Sequence, residues 1–520
     1  MRKVIIILLT ALFPLCMNAQ EELKVVRGGC LPDGSDAMAV GHRAAQRRLP
    51  AVQNVWDPER TYRQLVILIE FADTEFSYTD NAHAFYESVF NEPGFNGDNG
   101  PGCMADYYRA QSYGQCNLQF DIYGPYKTSG KAQPYDSPTS DTKNYGKGTL
   151  VEATNMMLEA NPDIDLSVYD WDGNKSIEQV IYVFAGVPGN INSSKCYGHI
   201  WPNTSSFSTI TTAAGYKISN YTCSGELWPT SAPRSCGIGT ICHEFTHSLG
   251  LPDIYPTSSN AGYSVCDEWD LMDGGNFTNY GWCPPNFTPL EKMLLGWLTP
   301  IDLTEPTTIT DLKSSAEGGE VYRIMHSDSE WLLLENRQQS GWDLGAPGKG
   351  LVIYHVNYDG SAWRGNSVNN DLGKRRFYLV PADNMDYDAW DAYIDENKLS
   401  TYAKSPRLNN RHLSTSPYPY LADDETSNNQ LTDTSTPAAI MHYPEGALLG
   451  KPITNIQMSA EGLVSFDFMG GNPSGIKEIQ VAGFRAQECY DLQGRRVDNP
   501  QQGNLYIVRT PQGIRKQLYQ

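Results

Sequence analysis

Residues 243–253 read His243-Glu244-Phe245-Thr246-His247-Ser248-Leu249-Gly250-Leu251-Pro252-Asp253, and the spacing in this stretch decides how the rest of the chain is read. Ile238 to Leu249 is predicted as a helix, with Gly250 and Pro252 as its stop signals. His243 and His247 stand four residues apart, so both leave one helix face and can share a metal ion. Glu244 borders that face, where a carboxylate reaches water at the metal without being a ligand. A zinc ion with three protein ligands keeps a position for water and lowers its pKa from ~15.7 to ~7. Glu244 is then the candidate general base, taking that proton and passing it to a leaving amine.

HExxH alone is a weak motif, since a surface helix shows it by accident. Three further features strengthen it. Gly250 follows His247 by three residues, where a left-handed turn sends the chain back under the metal. Asp253 follows His247 by six and is the expected third ligand. Trp269-Asp270-Leu271-Met272-Asp273-Gly274-Gly275 then places Met272 in a tight turn. The set resembles the metzincin peptidases, in which a His or Asp closes the site above a Met-containing turn. A competing assignment follows thermolysin-like enzymes and takes the third ligand from Asp267 or Glu268. The short run from Ser264 to Gly275 leaves little helix to carry such a ligand, which favours Asp253. Gly274 stands where some metzincins have a Tyr two residues after the Met, so no oxyanion Tyr follows from that rule.

Outward from this helix, Gln64-Leu65-Val66-Ile67-Leu68-Ile69-Glu70-Phe71 and Gln179-Val180-Ile181-Tyr182-Val183-Phe184 read as buried strands, and Leu150 to Glu159 as a helix. The expected fold is α+β: a metzincin-like zinc peptidase domain with a mixed sheet and an active-site helix, over residues 59–303. Short strand-like runs at 330–334, 350–356, 377–380 and 463–468, parted by Gly, Pro, Asn and Asp, predict a β-rich, sandwich-like domain over 304–470. Residues 471–520 are a linker and a short tail with its own strand pattern.

The 520 residues suffice for two or three domains, and 40% hydrophobic with 19% charged residues reads as globular. The net charge of -21, without a basic stripe, excludes nucleic acid and anionic membrane surfaces as partners. Met1-Arg2-Lys3, the apolar run Val4–Phe13 and Met17-Asn18-Ala19 describe a signal peptide over 1–19. That run is too short for a membrane span, and no later stretch replaces it. Residues 20–58 read as a pro-segment. Secretion to the cell surface or medium is therefore expected. Eight cysteines (Cys103, Cys116, Cys196, Cys223, Cys236, Cys242, Cys266, Cys283) fall in one stretch, an even set that permits a disulfide framework.

The chain resembles the immune inhibitor A family of secreted bacterial metallopeptidases. The resemblance extends from about residue 60 to 470 and rests on Gln64–Phe71, Asp106-Tyr107-Tyr108, Gly237-Ile238-Gly239-Thr240, Leu249 to Tyr255, Leu295-Gly296-Trp297-Leu298, Glu335-Asn336-Arg337 and Gly350 to His355. It implies an endopeptidase acting on extracellular proteins or peptides, with a two-His, one-Asp zinc site and a β-rich domain after the catalytic one. The tail, with Cys489-Tyr490-Asp491-Leu492-Gln493-Gly494-Arg495-Arg496 and Gly503-Asn504-Leu505-Tyr506-Ile507, resembles Bacteroidetes sorting segments and implies a secretion machinery as partner.

Asp170, Asp172, Asn174, Ser176 and Glu178 alternate around Gly173, oxygen ligands at a spacing that suits Ca²⁺. Gly173 sits fourth rather than sixth, a departure from the EF-hand loop. Cys30, within Arg27-Gly28-Gly29-Cys30-Leu31-Pro32-Asp33, is a candidate zymogen latch whose thiolate would fill the open zinc position, and cleavage near Arg47-Arg48 would remove it. His199 and His355 read as hydrogen-bonded structural residues. The functional alternatives are a catalytically silent surface adhesin on a peptidase scaffold and a zinc hydrolase of a non-peptide amide. Neither a silent scaffold nor a binding module needs Glu244.

Overall fold

The run from Leu65 to Ile69 is apolar at every position because it forms the middle of a sheet covered on both faces. A computed structural model describes residues 53–132, 146–189, 191–192, 200–228, 234–258, 265–386, 413–422 and 425–472, the strand segments 24–25, 488–490, 505–510 and 513–518, and positions 389, 396 and 497. The segment 1–19, Cys30 and His199 lie outside these residues, as do Cys196 and most of the linker.

Five strands make the first sheet: β1 (Thr61–Glu70), β2 (Asn117–Lys127), β3 (Val180–Phe184), β4 (Asn203–Thr211) and β5 (Lys217–Gly225). Their order is β2-β1-β3-β5-β4, parallel except for the antiparallel edge strand β4. Alternation along β1 and β3 separates two cores. Leu65, Ile67, Ile69, Val180, Tyr182 and Phe184 pack with Leu150, Ala153 and Met157 of α3 (Lys147–Ala160). Val66, Leu68, Ile181 and Val183 face α1 (Ala82–Asn91), α2 (Met104–Gln111) and α4 (Gly239–Ser248). The result is a mixed α+β unit of helix, sheet and helix layers, with α4 against β5 and the edge strand β4.

A second five-stranded sheet follows: β6 (Ile301–Asp302), β8 (Tyr322–Met325), β9 (Glu330–Arg337), β10 (Gly350–Asn357) and β11 (Phe377–Leu379), in that order. β6 pairs with β8 in parallel and the others are antiparallel. Its two faces also divide. Trp331, Leu333, Val352, Tyr354, Val356 and Phe377 join the core that holds α4. Leu332, Leu334, Leu351 and Ile353 face a three-stranded sheet of β7 (Thr307–Leu312), β13 (Val464–Phe468) and β12 (Ile453–Met458), which contributes Leu312, Phe466 and Ile456. The second sheet is thus a wall shared between two cores.

Arg337 fastens that wall to the metal-site region. Its guanidinium is fully buried, pairs with Asp343, donates to the Trp269 carbonyl (3.3 Å) and lies over the Trp269 ring (5.5 Å). A buried charge is tolerable only when paired and hydrogen-bonded, and Glu335 (3.3 Å) and Tyr354 (3.2 Å) complete the set.

The even cysteine set does not form the permitted framework among the described residues. Cys103, Cys116, Cys223, Cys236, Cys242, Cys266 and Cys283 are all free thiols. Six are buried singly among apolar side chains, and burial pushes the thiols up, Cys103 and Cys283 to about 11, so they behave as small core residues. No helix among the described residues is long and apolar enough to cross a membrane.

Leu333→Ala is expected to destabilise the chain by about 2–5 kcal/mol, in one unfolding transition seen by both tryptophan fluorescence and far-ultraviolet dichroism. Two separated transitions, with only the later one shifted, would contradict a core shared across residue 303.

Candidate metal centre

The helix α4 starts where backbone segments approach too closely for side chains. A Cβ on Gly239 would stand 2.1 Å from the Asn276 carbonyl oxygen, so only glycine lets the helix enter there. Every residue from Gly239 to His247 is buried. Phe245 meets Tyr108 of α2 edge-on at 5.2 Å, and the Tyr108 hydroxyl donates to the Cys242 carbonyl at 3.0 Å. These contacts fix the rotation of the helix and hence the direction of its histidines.

His243 and His247 project together, with ring centroids 4.9 Å apart and planes at 86°. Gly250, at φ 100°, then reverses the chain, a conformation that other residues rarely adopt. The return brings the Asp253 Oδ1 to 3.1 Å from His243 Nε2 and 3.2 Å from His247 Nε2. All three side chains are buried, and among the described residues they form one group whose ligand atoms could hold a metal ion. Asp267 and Glu268 sit on a short helical turn and are not part of it.

The tautomers follow from the carbonyls. His243 Nδ1 lies 2.8 Å from the Leu271 carbonyl and His247 Nδ1 lies 2.8 Å from the Leu251 carbonyl. A carbonyl only accepts, so each Nδ1 carries a proton, and each Nε2, turned toward Asp253, is the nitrogen left to bind a metal ion. Two nitrogen lone pairs and a carboxylate oxygen then face one another in a buried space. That arrangement calls for a positive charge between them, and the donor set of two imidazoles and one carboxylate fits zinc. With a proton as the only cation, burial pushes His247 down, but the Asp253 carboxylate outweighs it and holds the imidazole at about 9. For Asp253 itself burial works upward, and the two histidines overcome it to hold the carboxyl well below the usual range.

Support for the third position comes from residues that motif reading did not find. The Asn366 amide oxygen accepts from the Asp253 backbone N–H (2.7 Å), and its amide nitrogen donates to Asp253 Oδ2 (2.7 Å). Asn369 donates to the Ile254 carbonyl (2.8 Å), and Asn370 accepts from the Thr257 N–H (2.7 Å). All three follow the short helix α5 (Gly360–Arg364) in the β-rich part of the chain. The signal in the sequence was a cluster of three Asn within 366–370, readable as a turn but not as a clamp on a ligand over a hundred residues away. Met272 is buried in the predicted turn; its carbonyl accepts from the Ile254 N–H (2.8 Å) and its own N–H donates to Asp270 Oδ1 (2.6 Å). Glu244 is buried beside the edge strand, where the Thr204 hydroxyl stands 3.3 Å from Oε2.

His355 takes no part in this centre; it bonds to Glu330 and Tyr378. In the predicted calcium loop, the carboxylates of Asp170, Asp172 and Glu178 converge as a second possible cation group. Asp170 Oδ1 accepts from the Gly173 N–H (2.9 Å), Asn174 donates to Asp172 Oδ2 (2.7 Å), and the Ser176 N–H donates to Asn174 Oδ1 (2.7 Å). Burial foremost, with Asp172 and Asp170 adding to it, lifts Glu178 to about 7 against the opposing Trp171 N–H.

Residues 52–294 match the immune inhibitor A peptidase M6 catalytic domain. This segment is a metallopeptidase domain. The chain is 26% identical to immune inhibitor A of Bacillus thuringiensis subsp. alesti over 288 residues, covering 47% of this chain and 41% of that protein. It is 25% identical to the pre-pro-metalloprotease PrtV of Vibrio cholerae serotype O1 (strain M66-2) over 274 residues, covering 46% of this chain and 30% of that one. The match thus spans less than half the length of either relative. The matched segment ends before the second sheet begins, so Asn366 and Arg337 lie outside it.

Two outcomes follow. Asn366→Ala is expected to weaken metal retention about 10–100-fold in a chelator competition while the fold persists, the loss typical of a ligand's outer partner; an unchanged affinity would contradict the clamp. For Glu178, the folded pKa lies above the unfolded 4.5, so its stabilising contribution is full below about 4.5 and lost as pH rises through about 7. Ca²⁺ is therefore expected to raise the melting temperature more at pH 8 than at pH 5, with the difference shrinking in Glu178→Gln; equal shifts at both pH values would contradict this.

Proposed function

We propose that this chain is a secreted zinc-dependent endopeptidase that hydrolyses extracellular proteins or peptides, with His243, His247 and Asp253 holding the ion and Glu244 acting as general base. The observation that carries the reading is the convergence of two imidazole Nε2 atoms and one carboxylate oxygen, with a buried carboxylate on Glu244 of the same helix. Bound there, Zn²⁺ would polarise the scissile carbonyl and lower the pKa of a water molecule.

The remaining steps belong to the chain. Glu244 takes the proton of the attacking water and returns it to the leaving amine, so one carboxylate serves as base and then as acid. Thr204, on the edge strand, lies against Glu244 and limits its rotamers. The carbonyls of Leu271 and Leu251 keep both Nδ1 protons in place, which holds each Nε2 available as a ligand. The Met272 carbonyl accepts from the Ile254 N–H and supports the return that presents Asp253. Exclusion of water from this floor keeps the local electrostatics strong.

The same proposal extends to the periphery. The loop from Asp170 to Glu178 is assigned to Ca²⁺, the Cys30 segment to a latch, and the tail, whose strands Glu488–Tyr490, Leu505–Thr510 and Gly513–Leu518 form a three-stranded antiparallel sheet, to recognition by a secretion machinery.

The test is cleavage of an unfolded protein by the purified chain and by Glu244→Ala. The variant is expected to keep its metal and to lose about 10²–10⁴-fold in kcat, and a zinc chelator should silence the unaltered chain. A zinc-loaded, well-folded chain that stays inactive, also after trimming near Arg48, would move the silent adhesin ahead.

A further inference from the structure

A second set of two imidazoles and one carboxylate lies in the β-rich part of the chain. Glu330 opens β9, His355 is on β10, and His442 follows the short strand Ile440–Met441, which pairs with Ala447–Leu448. These three segments are distant in sequence, yet each residue offers a ligand atom within 4.8 Å of the others.

The set repeats features of the centre on α4. There, imidazole nitrogens contact the Asp253 oxygen at 3.1 and 3.2 Å, and the ring centroids stand 4.9 Å apart. Here His355 Nε2 lies 2.8 Å from Glu330 Oε1, and the His355 and His442 centroids are also 4.9 Å apart, with the rings stacked at 23° where those on α4 cross at 86°. The carboxylate is held in place beforehand, since Glu330 Oε1 accepts from the His442 backbone N–H (2.6 Å) and Oε2 from that of Tyr443 (3.1 Å). Such outer hydrogen bonds are what metal-binding carboxylates carry. The Tyr378 hydroxyl adjoins His355 Nδ1, the ring nitrogen not facing Glu330, and stands 3.3 Å from His442 Nε2.

Access is the second observation. His355, Tyr378 and His442 line a cavity of about 320 Å³ that also carries Asp386. An ion can therefore enter, and a water ligand has room beside it. With Nε2–H donating to Glu330, the Tyr378 hydroxyl donates to Nδ1; in the other tautomer Nδ1–H donates to the Tyr378 oxygen, the Tyr378 hydrogen turns to the cavity, and Nε2 is left as a ligand next to Glu330 Oε1.

We propose that Glu330, His355 and His442 bind a second divalent transition-metal ion, which clamps the hairpin of residues 440–448 to the second sheet. The soft, nitrogen-rich set favours Zn²⁺ over Ca²⁺. The ion is remote in sequence from Glu244 and its role is structural.

The experiment counts zinc per chain by mass spectrometry of the full protein, loaded with Zn²⁺ in excess Ca²⁺ and then desalted. About two ions are expected in the unaltered chain and about one in His442→Ala, which should keep its proteolytic activity and show a lowered melting temperature. The double variant His243→Ala/His247→Ala should retain about one ion, and adding His442→Ala should remove it. The proposal is overturned if His442→Ala still holds two ions, or if the double variant holds none. Should His442→Ala fail to fold, the double variant alone decides between one ion and none.

Discussion

Two imidazole nitrogens whose protons are committed elsewhere, and one carboxylate oxygen, point at a common space closed to solvent. Left without a cation, the three would repel, since each brings a lone pair into a region where water cannot screen it. The surrounding structure exists to hold them there. Leu271 and Leu251 spend backbone carbonyls on the outer ring nitrogens, Gly250 makes the return possible, and Asn366 grips the far oxygen of Asp253. Loss of any one would let a ligand rotate away and trade the metal site for an ordinary buried hydrogen bond.

That constraint explains why the β-rich part of the chain packs as it does. One face of the second sheet contributes to the same core as α4, and Arg337 crosses from that sheet to the carbonyl and ring of Trp269, three residues before Met272. The loop of Asn366, Asn369 and Asn370 closes over the residues from Asp253 to Thr257. The segment matched as a peptidase domain therefore holds all three candidate ligands, while part of their support comes from beyond it. A ligand set on one helix and one turn is a local device; its rigidity is a property of the whole.

What the sequence made legible follows this split between local and distant. His243, Glu244, His247 and Asp253 were readable because helical spacing and one glycine place them within eleven residues. The strands of β1 and β3 were readable because burial on both faces leaves an unbroken apolar run. Asn366 was not, since its partner is 113 residues away and no periodicity links them. His355 was read as a lone structural histidine, and its contacts with Glu330 and Tyr378 fit that reading; the nearness of His442, set by strand pairing, was invisible in the sequence. The cysteines misled for a related reason. Their even number in a chain read as exported suggested bridges, whereas six of the seven described ones are buried at separate sites in the core.

The most direct measurement is a crystal structure of the purified chain with anomalous data collected on both sides of the zinc absorption edge. The account predicts a zinc peak bonded to His243 Nε2, His247 Nε2 and Asp253 Oδ1 at about 2.0–2.2 Å, with both Nδ1 contacts to the Leu271 and Leu251 carbonyls kept. A zinc-loaded crystal with no peak there, and with Asp253 in direct hydrogen bonds to protonated histidines, would contradict it.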